Sequence, residues 1–157
     1  VGAAPKHVLL VYGGSRGGRT EKLVDAVAGG VRALGADVEL RLRPALEGTA
    51  DDLLWAHGVL LGTPEHFGYM SGALKHFFDR TFYAVEGRTE GLPYALFVTG
   101  GTDGTGAVAS VGRIVTGYRW KQVAEPVLVR GDATAADLER CRELGATLAA
   151  GVAAGLY

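Results

Sequence analysis

The chain has 157 residues, 17 acidic and 16 basic side chains, a net charge of −1, and 48% hydrophobic against 21% charged residues. That balance is typical of one globular domain, expected to span residues 1–157, and it carries no basic footprint for nucleic acid or a membrane surface. Cys141 is the single cysteine, which excludes an internal disulfide and a cysteine metal cluster.

No apolar run is long enough to cross a bilayer. Val1 to Lys6 lead into the first strand without a signal-peptide pattern, so a cytoplasmic location is expected. The run Val8-Leu9-Leu10-Val11 reads as a buried strand. Leu23, Val24, Val27, Val31 and Leu34 then fall on one face of a helix that Gly35 should stop. Asp37 to Arg43 alternates strictly, as an edge strand does. Thr49 to Asp52 reads as a capping box before a short helix, and Gly58 to Gly62 as an apolar strand. Thr63 to Met70 reads as a loop, after which Ser71 caps a helix carrying Leu74, Phe77, Phe78, Thr81 and Phe82. Tyr94 to Val98 is a further buried strand. Thr99 to Gly106 is a glycine-rich loop before a helix with Val108, Val111, Ile114, Val115 and Tyr118 inward. Pro126 to Arg130 suits an edge strand, and Thr134 to Asp137 caps a long closing helix with Cys141 on its apolar stripe. A buried, inert thiol is expected there. Alternating strands and helices predict an α/β fold: five parallel strands in the order 2-1-3-4-5, with helices on both faces. The ligand crevice then lies at the carboxyl ends of strands 1 and 3, where the winding reverses.

The stretch Val11 to Glu21 stands at that crevice as strand, glycine-rich turn and helix start. Backbone amides at a helix N-terminus favour an anion. Ser15 and Thr20 add hydroxyls, and Arg16 and Arg19 add charge. Three phosphate loops compete. Gly13, Gly14, Gly17 and Gly18 miss the G-x-G-x-x-G spacing of a dinucleotide site, and the second strand ends on Arg41 and Arg43 rather than an acid. Gly13 to Thr20 has the length of a nucleoside-triphosphate loop, but Arg19 replaces its lysine. A hydroxyl-rich loop for one monophosphate matches Ser15, Gly18 and Thr20. A plain glycine turn is the remaining alternative.

The segment Gly62-Thr63-Pro64-Glu65-His66-Phe67-Gly68-Tyr69-Met70-Ser71-Gly72 has the G-T-P-x-x-F-G-x-M-S-G pattern of a flavin-wrapping loop. Through it the chain resembles flavodoxin-like proteins, and among them the NAD(P)H-dependent FMN reductases and the tryptophan-repressor-binding type of NAD(P)H:quinone oxidoreductase. The resemblance implies a flavodoxin-like three-layer sandwich with FMN as cofactor. It implies an oxidoreductase taking hydride from NADH or NADPH and reducing a quinone or similar small acceptor. The rival is a one-electron carrier of the flavodoxin type, against which the net charge of −1 argues, because such carriers dock through acidic surfaces. By position, Ser15, Arg16, Gly17, Gly18, Arg19 and Thr20 would hold the FMN phosphate. Pro64, Glu65, His66, Phe67 and Gly68 would line one edge of the ring; Thr99, Gly100, Gly101, Thr102, Asp103 and Gly104 would line the other. His66 would stack on the ring or assist proton transfer, or simply lie exposed. Asp103 is favoured as a helix cap over a group facing the ring. The helix after Gly104 would offer amide donors to the reduced ring. No metal is implied. The aromatic run Phe82-Tyr83-Ala84-Val85 predicts a homo-oligomer, a dimer or tetramer, because proteins of this kind often complete the flavin pocket with a neighbouring subunit.

Overall fold

A computed structural model describes residues 3–15 and 17–157. The elements in chain order are β1 (Lys6–Tyr12), α1 (Arg19–Arg32), β2 (Val38–Pro44), α2 (Ala50–Trp55), β3 (Gly58–His66), β4 (Tyr69–Met70), α3 (Gly72–Val85), β5 (Pro93–Gly100), α4 (Thr105–Tyr118), β6 (Lys121–Gln122), β7 (Val127–Arg130) and α5 (Ala135–Ala154). The order across the sheet is β2-β1-β3-β5, with β6 and β7 both beside β5. All of these pairs are parallel. The predicted order therefore holds, with two changes to the predicted five strands among the seven found.

The fifth strand is split. β6 pairs with Pro93 and Tyr94, and β7 with Phe97 to Gly100. Pro126 lies at the break and has no amide to continue the ladder. The second change bears on function. Residues 63–66, expected in a loop, continue β3: Thr63 and Pro64 pair with Val98 and Thr99 of β5. Glu65 and His66 then pair antiparallel with Met70 and Tyr69 of β4. Phe67, with φ of 53°, and Gly68, with φ of 72°, make the tight turn between them.

Strand alternation explains the two cores. Val8, Leu10, Leu60, Ala95 and Phe97 face α1 and α5. Leu9, Val11, Val59, Leu61, Leu96 and Val98 face α2, α3 and α4. Both faces of β1, β3 and β5 are thus covered, which is why their sequences are apolar throughout. Helix α5 lies against α1 at backbone distance. A Cβ on Gly30 would run into the Arg142 carbonyl, and one on Gly145 into the Val27 carbonyl. Cys141 is fully buried beneath them, and burial pushes its thiol up to about 11, so it stays protonated and inert. Tyr118 and Trp120 are core residues, the Tyr118 hydroxyl donating to the Phe78 carbonyl at 2.6 Å.

Candidate functional site

A cleft of about 270 Å³ opens at the carboxyl ends of β1, β3 and β5. Gly14, Ser15, Gly18, Arg19 and Thr20 form one end, Thr99 to Gly101 one wall, and Pro64, Glu65 and His66 the other. The structure thus brings all three predicted segments together. Gly17, Phe67, Gly68, Thr102, Asp103 and Gly104 belong to the same loops but do not line the cleft. Arg16 lies outside the described residues.

The loop after β1 is shaped by close approach. Gly14 has φ of 113°, and a Cβ there would sit 3.2 Å from Thr20 and 3.6 Å from Pro64. Only glycine permits that conformation cheaply, and it leaves the floor of the cleft open. The sequence pattern places this glycine in the loop without marking it as a lining residue; its place two residues after β1 is the available signal. The Gly18 amide donates to the Ser15 carbonyl at 3.0 Å, closing a turn, and the Gly17 amide donates to Glu21 at 3.2 Å. Helix α1 has no side-chain cap at Gly18. Helices α2, α3 and α5 each begin with a capping hydroxyl, from Thr49, Ser71 and Thr134. Among the described residues, nothing accepts from the Arg19 and Thr20 amides. Arg19 and Thr20 both line the cleft at the positive end of α1, a setting that suits one phosphate group.

The side chains at this end are partly engaged. Thr20 is buried and its hydroxyl shares a hydrogen with Thr99 at 2.9 Å, tying α1 to the end of β5. Arg19 donates through Nε to Asp132 at 3.0 Å, both groups being solvent-exposed. Arg41 and Arg43 are not available for a second phosphate in the cleft. They pair with buried Asp52 at 2.9 and 3.3 Å. Burial acts to raise the Asp52 carboxyl, but these arginines and the Thr49 bonds outweigh it and hold it below its ordinary value.

At the other end, the N-terminus of α4 is claimed by two carboxylates. Asp103 accepts from the Thr105 amide at 3.0 Å and from its hydroxyl at 2.9 Å. Those bonds hold the exposed Asp103 carboxyl below its ordinary value. The N-cap position itself is Gly104, without a side-chain cap, so Asp103 meets the first turn from one residue before the cap rather than as the favoured N-cap. Glu65 reaches from β3 to accept from the Ala107 amide at 3.0 Å. The amide donors expected for the reduced ring are therefore reduced in number: those of Thr105 and Ala107 are bonded within the protein. His66 is exposed at the tip of β3, and Phe67 and Tyr69 are exposed beside it.

This arrangement is a glycine-rich loop at a helix N-terminus joined to a slot between two strand ends. The sequence pattern of the NADPH-dependent FMN reductases matches residues 6–134 of it. The chain belongs to that family. Membership makes it a flavodoxin-like protein of an FMN-binding oxidoreductase family, and the donor set described above fits a phosphate monoester. A flavodoxin of Aquifex aeolicus is 33% identical, over 93% of this chain and 86% of its own length. An NAD(P)H dehydrogenase (quinone) of Acidithiobacillus ferrooxidans is 32% identical over 61% of this chain and 58% of its own length. An archaeal flavodoxin structure superposes with a TM-score of 0.79, covering 93% of this chain and 98% of its own, at 22% identity, a likeness of fold. Among the described residues there is no cluster of metal-ligating side chains and no helix long and apolar enough to cross a membrane.

Proposed function

We propose that the protein is an FMN-dependent oxidoreductase that takes hydride from NADH or NADPH and reduces a quinone or a similar small acceptor. The observation that carries this reading is the meeting of Gly14, Ser15, Gly18, Arg19 and Thr20 with residues 64–66 and Thr99 to Gly101 at one cleft, in a chain that matches the NADPH-dependent FMN reductases over residues 6–134. A nicotinamide needs one face of a ring held there to come within reaction distance. When bound, FMN supplies the hydride chemistry. The chain's own residues bind and orient. In this reading Ser15, Gly18, Arg19 and Thr20 hold the phosphate, and the β3–β4 turn and the loop from Thr99 to Gly104 flank the ring. The exposed His66 imidazole carries a proton between solvent and the ring edge.

A one-electron carrier is the second reading. It is favoured by the likeness to the Aquifex flavodoxin, which spans more of both chains than the likeness to the quinone dehydrogenase does. Stepwise anaerobic reduction followed by visible spectra separates the two. The enzyme reading expects the flavin bands to bleach in one two-electron step. A long-wavelength band that persists between two separate steps would favour the carrier.

The protein is further proposed to be a homo-oligomer. Of the run Phe82 to Val85, Val85 is buried and Phe82 half-buried against the core, which leaves Tyr83, 85% exposed on α3 and edge-on to Phe82 with ring centroids 5.2 Å apart. Exposed aromatic surface of this kind favours contact between copies. Light scattering at micromolar concentration should give at least twice the chain mass; a monomer mass removes the proposal.

A further inference from the structure

We propose that Glu65 is a positioning residue that locks the two ring-side loops into one slot before any cofactor arrives. The inference rests on the FMN-binding reading of the cleft and deepens it. The two loops belong to distant parts of the chain: one turns between β3 and β4, the other joins β5 to α4. Glu65 leaves β3 as its ladder with β5 ends, at the point where the strand turns to pair with β4. Its carboxylate crosses to the Ala107 amide at 3.0 Å. That amide is a first-turn donor of α4 with no partner inside the helix, so the bond satisfies an orphan donor and places negative charge at the positive helix end.

Two further contacts make the junction specific. The Met70 amide donates to Ser110 Oγ at 3.0 Å, and Ser110 Oγ donates in turn to the Ala107 carbonyl at 2.9 Å. Gly106 lies so close to the Gly68 carbonyl that any Cβ would overlap it. The β3–β4 turn is therefore seated on the first turns of α4, and Glu65 is the charged member of the junction. A slot held at fixed width favours a flat ring, because the ordering cost is met in folding rather than in binding. The effect acts on the ring and leaves the phosphate end untouched.

The experiment uses Glu65→Ala and Glu65→Gln, with FMN and riboflavin as probes. Glutamine keeps an oxygen acceptor at the same reach and removes the charge. Expected for Glu65→Ala is a loss of about tenfold in affinity for both flavins, about 1.4 kcal/mol, with the FMN-to-riboflavin ratio unchanged. Glu65→Gln should restore binding to within about threefold of the parent. Hydrogen exchange on the cofactor-free protein gives a readout independent of any flavin. The Ala107 amide should be protected in the parent and in Glu65→Gln, and should exchange at least about tenfold faster in Glu65→Ala. Equal flavin affinity in parent and Glu65→Ala, or a loss confined to FMN, overturns the proposal. So does an unprotected Ala107 amide in the cofactor-free parent, a result that needs no variant to fold. If the parent binds neither flavin, the FMN reading itself falls, and the exchange at Ala107 still decides whether Glu65 locks the junction.

Discussion

FMN is expected to bind at least about a hundredfold more tightly than riboflavin, with the whole difference residing in the loop from Gly14 to Thr20. The two ligands share the ring and differ by the phosphate. Arg19 and Thr20 line the cleft, no bond from their amides is found among the described residues, and each charge-assisted bond to a phosphate contributes about 1.5–3 kcal/mol. Two such bonds give about 3 kcal/mol or more, which is over a hundredfold. Arg19 adds to this, but it is shared with Asp132 at 3.0 Å. Arg19→Ala should therefore weaken FMN by roughly tenfold and leave riboflavin unchanged. Asp132→Asn should act in the opposite direction, since it frees the guanidinium and removes a carboxylate near the anion. Calorimetric titration of cofactor-stripped protein at low salt measures all of these. Equal affinities for FMN and riboflavin would reduce the loop to a plain turn, and weaker FMN binding in Asp132→Asn would mean that Asp132 positions Arg19 rather than competing for it.

The second large effect is a change of sign between two adjacent residues. Gly29 and Gly30 both lie within α1. A Cβ on Gly29 meets nothing within 4 Å, whereas one on Gly30 meets the Arg142 carbonyl of α5, a backbone atom that cannot rotate away. Alanine improves helix propensity at either position by about 0.8–1 kcal/mol. At Gly29 nothing opposes that gain. At Gly30, forcing the two backbones apart costs about 3 kcal/mol, the upper end for overpacking, so the net loss is about 2 kcal/mol. Gly29→Ala should raise Tm by about 2–4 °C and Gly30→Ala should lower it by about 4–8 °C. Thermal unfolding followed by circular dichroism distinguishes the two, and equal effects would mean that α1 and α5 tolerate separation.

Much of the fold was legible because it is written locally. Thr49, Ser71 and Thr134 were read as helix caps from residue type and position, and each accepts the expected amide. Apolar runs in β1, β3 and β5 announced strands covered on both faces. The errors came where punctuation residues were overruled by tertiary pairing. Pro64 and Gly68 read as loop, yet Pro64 takes the last position of the β3–β5 ladder, where a missing amide breaks no further pairing, and Gly68 closes a tight turn. The three segments of the site were legible from glycines, hydroxyls and the resemblance of residues 62–72. The bonds that finish the site were not, because they join residues far apart in sequence. Arg19 to Asp132, Thr20 to Thr99 and Glu65 to Ala107 leave no trace in any local pattern. The helix end expected to offer donors to the ring is instead bonded to Glu65 and Asp103, and only the three-dimensional arrangement reveals it.

Anaerobic stopped-flow mixing of the FMN-loaded protein with NADH, and separately with NADPH, tests the proposed hydride transfer most directly. Hydride transfer from a nicotinamide predicts rapid bleaching of the flavin absorbance with at least one of the two nucleotides, at a rate that saturates as the nucleotide concentration rises. No bleaching by either nucleotide over minutes, in protein that chemical reductant bleaches at once, would contradict it and place the protein with the one-electron carriers.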